Sequence, residues 1–349
     1  MNKQYEIDSN MFILEITQAC NFSCAFCFSE SDVVPKSQKY MDFNLFKKAI
    51  DILASNKCNV VALSGGEPLM HPSLKYMLTY LTEKNLRTIV ITNGYFVDDD
   101  WINFLLANDK IKIQFSLDGV DETTHDKLRA SGSYKKVVSA MHKLHSLGYN
   151  NGEVRMTITK DNYLQAGGVY KIATEKQFKP SFSFVQNLGK ASNAWDNLKL
   201  SPDECKHTQD TLMREIGSHL LLGSIMSNLE PLSSCSILLE IPRLKPYVDV
   251  NLNVRPCAAI SYSMGNLVTD SYDYIFGTGL HNLTDTLTTK RNERIKIFCS
   301  KCVGKVGCTG GCLGVAPENP NKPTSECYRI IGDTTRLILN KCGGKFASE

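Results

Sequence analysis

Nowhere does the chain approach the ~20 consecutive apolar residues that a membrane-spanning helix needs. The opening residues, MNKQYEIDSN, are polar and hold no apolar signal core. Neither sign of charge dominates: 39 Lys and Arg stand against 36 Asp and Glu, a formal net charge of +3. A dedicated nucleic-acid binder carries a strong basic excess, so that class is excluded. Histidine is sparse, with 7 in the whole chain, and no grouping of them supports a catalytic triad. The expectation is a cytoplasmic protein with neither a membrane nor a nucleic acid as partner.

Cysteine, in contrast, is abundant: 13 in 349 residues. Without an export signal, a reducing compartment and metal ligation fit this number better than a disulfide framework. The count is odd and the cysteines gather toward the two ends. The hydrophobic share of 42% is ordinary for a globular protein, and the length allows roughly two domains.

Cys20, Cys24 and Cys27 form a Cys-x3-Cys-x2-Cys run in ITQACNFSCAFCFSE. Three soft thiolates this close suit iron–sulfur or zinc ligation. Three ligands on a cluster that takes four leave one iron open to a reactant, which points to catalysis rather than electron storage alone. A partial zinc site and buried apolar thiols are the competing readings.

The first two hundred residues alternate short apolar strands with helices. Strands are expected over 11–17, 60–64, 87–92, 111–117, 153–159 and 181–187, and helices over 42–55, 73–84, 98–106, 134–147 and 162–176. Ser73 is the expected N-cap of the second helix and Gly148 the C′ residue of the fourth. Gly167-Gly168 weakens the fifth. Six strands alternating with helices imply parallel βα units, which an α/β barrel and a doubly wound sheet both satisfy. The polar motifs favour a barrel: the cysteine loop, Gly65-Gly66-Glu67, Asn93-Gly94 and the pair Ser116 and Asp118 each follow or end a strand. They would meet at a C-terminal rim.

The cysteine run together with SGGEPLMHP (64–72) resembles the radical S-adenosylmethionine (SAM) superfamily. That resemblance implies a partial (β/α)6 TIM-type barrel over residues 1–200. It implies a [4Fe–4S] cluster on Cys20, Cys24 and Cys27, whose open iron holds the amino and carboxylate groups of SAM and, when reduced, splits SAM to a 5′-deoxyadenosyl radical. By the same resemblance Gly65, Gly66 and Glu67 face the methionyl amine, Phe26 the adenine, Ser116 the ribose or carboxylate, and Arg129 the carboxylate. Asp118, Asn93 and His125 match framework positions.

A second group, Cys299-x2-Cys302-x5-Cys308-x3-Cys312 with Cys327 beyond it and Cys235 and Cys257 before it, resembles the SPASM extension of that superfamily. This implies an α/β chain of three parts: the barrel, a helical linker over 201–234, and a small cysteine-rich SPASM domain over 235–349. It implies two auxiliary iron–sulfur clusters: Cys299, Cys302, Cys308 and Cys327 on the distal one, Cys235, Cys257 and Cys312 on the nearer. Four closely spaced cysteines also make structural zinc sites. Two departures stand out. Leu252 occupies the place of the usual glycine five residues before Cys257, and the nearer cluster has three clear ligands, with Cys205 as one candidate fourth. Cys205 is also a candidate hydrogen-atom donor, Cys58 reads as a packed thiol, and Cys342 lies in a polar tail.

SPASM enzymes are mainly peptide and protein modifiers. The expected activity is therefore hydrogen abstraction from a peptide or small protein, leading to crosslinking, oxidation or epimerisation. An electron donor such as a flavodoxin or ferredoxin is implied. Only about ten residues precede the first long strand, too few for a leader-binding domain, so a separate leader-binding protein is a candidate partner. A small-molecule dehydrogenase and a sulfatase-maturing-like enzyme are the alternatives within the class, the latter disfavoured by Ala258 where an acidic residue is usual. A non-catalytic zinc or iron–sulfur protein is the alternative outside it.

Overall fold

A computed structural model describes residues 6–7, 11–29, 40–217 and 243–298. Cys235, Cys299, Cys302, Cys308, Cys312, Cys327 and Cys342 lie outside the described residues.

Six strands carry the architecture: β2 (Met11–Thr17), β3 (Val60–Gly65), β4 (Arg87–Thr92), β5 (Ile111–Ser116), β6 (Gly152–Ile158) and β7 (Lys179–Phe184). Each pairs in parallel with the next in sequence. Between them run α1 (Phe43–Ser55), α2 (Leu74–Glu83), α3 (Asp99–Leu106), α4 (Glu122–Leu128), α5 (Ser133–Ser146) and α6 (Ala166–Glu175). Consecutive order without a reversal is the order of a barrel; a doubly wound sheet reverses at a switch point.

The strands show why one face meets helices and the other does not. On β2, Phe12, Leu14 and Ile16 join the hydrophobic core with Phe46, Ile50 and Leu53 of α1, while Glu15 points to the opposite side. On β6, Val154, Met156 and Ile158 take the core face and Glu153, Arg155 and Thr157 the other. The inner face is correspondingly polar: Gln114 Nε2 donates to Glu153 Oε1 across 2.7 Å, and Arg155 Nη1 to Ser181 Oγ across 3.4 Å.

The sheet curls without pairing its outer edges. The chain leaving β7 crosses to the loop leaving β2, where Lys190 N donates to Cys27 O at 3.0 Å. Gly189, with φ +55, allows this approach; a Cβ there would lie 2.5 Å from the same oxygen. After α7 (Trp195–Leu198) and α8 (Pro202–Ile216), whose capping box is Ser201 with Glu204, a pair β1 (Glu6–Ile7) and β8 (Arg243–Leu244) forms a parallel ribbon. Then β9 (Tyr247–Val248) adds in parallel to the free edge of β2, followed by antiparallel β10 (Asn253–Arg255) and β11 (Gly265–Asn266). The sheet thus has nine strands among the described residues.

Three details differ from the sequence-based expectation. Ser73 holds the N-cap position of α2 but its side chain makes no cap bond; its N–H donates to His71 Nδ1 at 3.1 Å instead. The glycine pair lies inside α6, which forms nonetheless because it packs on α8, after a short 3-10 turn over Tyr163–Gln165. And α4, polar along its length, forms where no apolar period announces it; Asp121 caps it by accepting from Thr124 N.

Leu252 sits in the turn between β9 and β10 at φ +65, the left-handed region that glycine adopts without penalty, and it is fully buried in the core. Left-handed backbone costs a branched residue about 1–2 kcal/mol, whereas removing a buried Leu side chain costs roughly 2–5. Leu252→Gly is therefore expected to destabilise the protein by about 2 kcal/mol, read as a lower urea midpoint. A stabilised variant would show that the leucine contributes nothing to the packing of this turn.

Candidate active site

The cysteine loop is stitched to the turn after β3. Gly66 N donates to Thr17 O (2.7 Å) and Glu67 N to Ala19 O (2.8 Å), so the residues leading into Cys20 lie flat on Gly65-Gly66-Glu67. Neither glycine has room for a side chain: a Cβ on Gly65 would fall 2.1 Å from Thr17 O, and one on Gly66 2.0 Å from Ala19 O. Ser29 Oγ closes the far end of the loop by donating to Gly65 O at 3.1 Å.

Glu67 is 1% exposed, and both its oxygens are taken by protein donors. Oε1 accepts from Thr92 Oγ1 (2.7 Å) and Leu69 N (3.0 Å), and Oε2 from Asn93 N (2.8 Å). Burial pushes its carboxyl up in pKa, against these three hydrogen bonds. Asn93 Nδ2 in turn donates to Asn21 Oδ1 at 2.8 Å. A chain of contacts thus runs from the β3 turn through the end of β4 to the residue after Cys20. The bond from Asn93 to Asn21 was not legible in the sequence.

Cys24 is buried, and Cys20 and Cys27 are half-buried. The Cys20 thiol is pushed up to about 12 by burial, against an N–H donated by Phe22 at 3.4 Å, and the charges of Cys24 and Cys27 reach it. Burial raises Cys24 as well, and Arg129 opposes it. Such thiols are protonated until a metal displaces the protons. Among the described residues no three His, Cys, Asp or Glu side chains converge to hold a single metal ion. A four-iron cluster takes each thiolate at a separate iron, so three thiols spread along one loop and sensing one another's charge suit it.

Ser116 is half-buried at the end of β5, and Arg129 stands at the C-terminus of α4. Arg129 is no solvated surface residue: its Nε donates to Asp118 Oδ2, with 12% of the Arg side chain and none of the Asp exposed, and its guanidinium lies 5.4 Å from the centroid of Phe26. His125, fully buried in the same helix, accepts from Asp118 N at Nδ1 (3.0 Å); its proton is therefore on Nε2, which has no partner among the described residues.

Burial lowers His125 to about 4, with Asp118 pulling the other way. A depressed histidine pKa means that, between pH 6.5 and 4, the unfolded chain takes up a proton that the native state refuses. Stability then falls as pH falls through that window, by on the order of 3 kcal/mol for this group when fully expressed. His125→Asn is expected to flatten that part of the pH–stability curve relative to wild type in chemical denaturation. Parallel curves for the two proteins would sink this account.

Sequence reasoning missed one cluster. Glu15, 5% exposed on the inner face of β2, sits with fully buried Tyr247 of β9, and Arg255 of β10 lies 4.4 Å from the centroid of the Tyr247 ring. Burial raises the Glu15 carboxyl, Arg255 opposes it, and the Tyr247 hydroxyl bonds to it. Phe28 of the cysteine loop meets Tyr247 edge-on at 6.3 Å. The cluster therefore ties the cysteine loop and β2 to the hairpin that ends two residues before Cys257. Cys205, by contrast, is buried in the core on α8, in the helical layer outside the sheet, and Cys58 donates to Val60 O at 3.4 Å as a packed thiol.

Residues 14–164 match the model of the radical SAM superfamily. Mycofactocin maturase MftC of Mycolicibacterium smegmatis is 24% identical over 310 residues, covering 86% of this chain and 76% of its own. The subtilosin biosynthesis protein AlbA of Bacillus subtilis is 26% identical over 310 residues, covering 85% and 66%. Among solved structures, Streptococcus suis SuiB bound to S-adenosylmethionine superposes with a TM-score of 0.69 at 15% identity over 89% of this chain and 75% of its own. SuiB bound to the precursor peptide SuiA gives 0.68 at 15% identity over 92% and 76%. At these identities the structural likeness is one of fold.

Proposed function

We propose that this chain, whose residues 14–164 form a radical SAM domain, is a peptide-modifying enzyme of the SPASM class. The observation that carries the reading is the three-thiol loop laid on the Gly65-Gly66-Glu67 turn. A [4Fe–4S] cluster with SAM on its open iron would supply a 5′-deoxyadenosyl radical for hydrogen abstraction. Cys20, Cys24 and Cys27 would hold that cluster. Gly65 and Gly66 bring backbone close to where the amino group of SAM would lie, and Glu67 holds their turn in place through Thr92, Asn93 and Leu69. Phe26, with Arg129 stacked on it, and Ser116 edge the place of the adenosyl group. The polar inner face of the sheet, from Gln114 to Ser181, suits a peptide backbone better than an apolar small molecule.

The names of the relatives favour a ribosomal peptide as substrate, since MftC is a maturase, AlbA serves subtilosin biosynthesis and SuiB was solved with its precursor peptide. On this reading a flavodoxin or ferredoxin supplies the electron, a separate protein binds the leader, and the reaction runs in the cytoplasm. The barrel takes residues 1–200, the linker 201–234 and the auxiliary domain 235–349, with Cys235, Cys257, Cys299, Cys302, Cys308, Cys312 and Cys327 as its ligands. Anaerobically purified protein should be brown, with iron and sulfide well above about four per chain, and the reduced enzyme should turn SAM into 5′-deoxyadenosine. Colourless zinc-loaded protein without SAM cleavage would end the reading.

A further inference from the structure

The loop that leaves β4 lays aromatic side chains against the cysteine loop. Phe22, 4% exposed, lies between Cys20 and Cys24, and its N–H donates to Cys20 Sγ at 3.4 Å. Tyr95 meets the Phe22 ring edge-on with centroids 5.7 Å apart, and Phe96 meets Tyr95 in the same way at 5.3 Å. Phe96 is 37% exposed. Two ring contacts therefore lead from solvent to a residue bonded to the Cys20 sulfur. The turn that carries these rings is fixed. Tyr95 N donates to Asn93 Oδ1 (3.0 Å), and Gly94, at φ +77, packs so closely on α5 that a Cβ would lie 2.9 Å from Val137 Cγ2. That packing brings Lys136 of α5 over the Tyr95 ring, 5.7 Å from its centroid. The acids nearby are already answered: Asp98 caps α3, and Asp99 and Asp100 pair with Lys143 and Lys75. Lys136 is exposed and joins no ion pair among the described residues. On the other flank of Phe22, Lys190 Nζ donates to the hydroxyl of exposed Ser23 at 3.1 Å. Rigid aromatic anchors beside free positive charge are the make-up of a protein-docking site.

We propose that Tyr95, Phe96 and Lys136 form the docking site of an acidic one-electron flavoprotein of the flavodoxin type, which delivers its electron by way of the Phe22 side of the cysteine loop. This rests on the radical SAM reading of that loop. The exposed aromatic pair offers a flat apolar contact to the open edge of a flavin ring, and Lys136 offers charge to the carboxylates around it. One electron leaves the flavin, which goes from the hydroquinone anion to the neutral semiquinone, and enters the cluster held by Cys20, Cys24 and Cys27; no proton changes hands. Electron-transfer encounters bury little surface and last briefly, so two rings and a lysine are an anchor of the right scale.

The test uses the full-length protein, reconstituted anaerobically, as wild type, Lys136→Glu, Phe96→Ser and Leu147→Ser. Leu147 is 50% exposed at the C-terminal end of α5, which leads into the start of β6 and so lies at the rim opposite the cysteine loop. Each protein is reduced either by dithionite, which needs no docking, or by NADPH with flavodoxin and its reductase, and 5′-deoxyadenosine is measured against flavodoxin concentration. Flavodoxin binding is measured separately by calorimetry. Lys136→Glu and Phe96→Ser are expected to raise both the half-saturating concentration and the dissociation constant by about fivefold or more at low salt. Their dithionite-driven cleavage should stay at the wild-type level, and Leu147→Ser should match wild type throughout. An unchanged flavodoxin curve in either patch variant overturns the proposal. So does an equal loss with both reductants, because the residues would then act on the cluster and not on a partner. A wild type that a ferredoxin drives and flavodoxin does not overturns it too. Absence of dithionite-driven cleavage in wild type would overturn the reading of the loop, and the docking site with it.

Discussion

Replacing Cys24 with Ala is expected to bring reductive SAM cleavage down to background and to lower the iron content by about four per chain, the content of one [4Fe–4S] cluster. Cys24 is the buried member of the three. Without it two thiols remain, and a cluster that already leaves one iron open would have a second iron without a protein ligand. The fold should survive, because the substitution removes one sulfur from a loop that hydrogen bonds hold at Gly66 N, Glu67 N and Ser29 Oγ. The unfolding free energy is expected to change by no more than about 1 kcal/mol. Iron and 5′-deoxyadenosine assays on the reconstituted variant decide the matter; retained cleavage would remove Cys24 from the ligand set.

The sequence made the barrel strands legible because each is a short apolar run whose side chains alternate between a helix-covered core and a polar interior. The same rule could not show β9, β10 and β11. They are two or three residues long and persist because β2 offers an open edge, which is a property of the partner and not of VDVNLNV. The two strongest motifs were legible for a related reason: glycine pairs and cysteine runs have few ordinary uses in a strand-end turn. What they hid was the division of labour. Glu67, expected at the methionyl amine, also accepts from Thr92, Asn93 and Leu69, which the sequence does not show. Arg129 ends a helix with no apolar period, and only its contacts with Asp118 and Phe26 show which way it faces. The Glu15, Tyr247 and Arg255 cluster draws its members from strands that are far apart in the chain, and no local pattern marks it.

Gly66→Ala separates close approach from backbone conformation. Gly66 needs no left-handed φ, yet its Cβ would lie 2.0 Å from Ala19 O and 2.5 Å from Ala19 C, and backbone cannot yield as a side-chain tip does. Relief requires the β3 turn and the cysteine lead-in to part, breaking the bonds from Gly66 N to Thr17 O and from Glu67 N to Ala19 O. The expected cost is about 3 kcal/mol, with loss of most cluster uptake, since Cys20 follows Ala19 directly. Gly148→Ala provides the comparison. That residue has φ +82 and nothing within 4 Å of the added Cβ, so only the left-handed backbone penalty of about 1 kcal/mol applies, and iron uptake should stay at the wild-type level. Urea midpoints and iron counts on the two variants check this. Equal destabilisation with equal iron uptake would mean that the contact between the glycine turn and the cysteine loop does not govern how the loop is held.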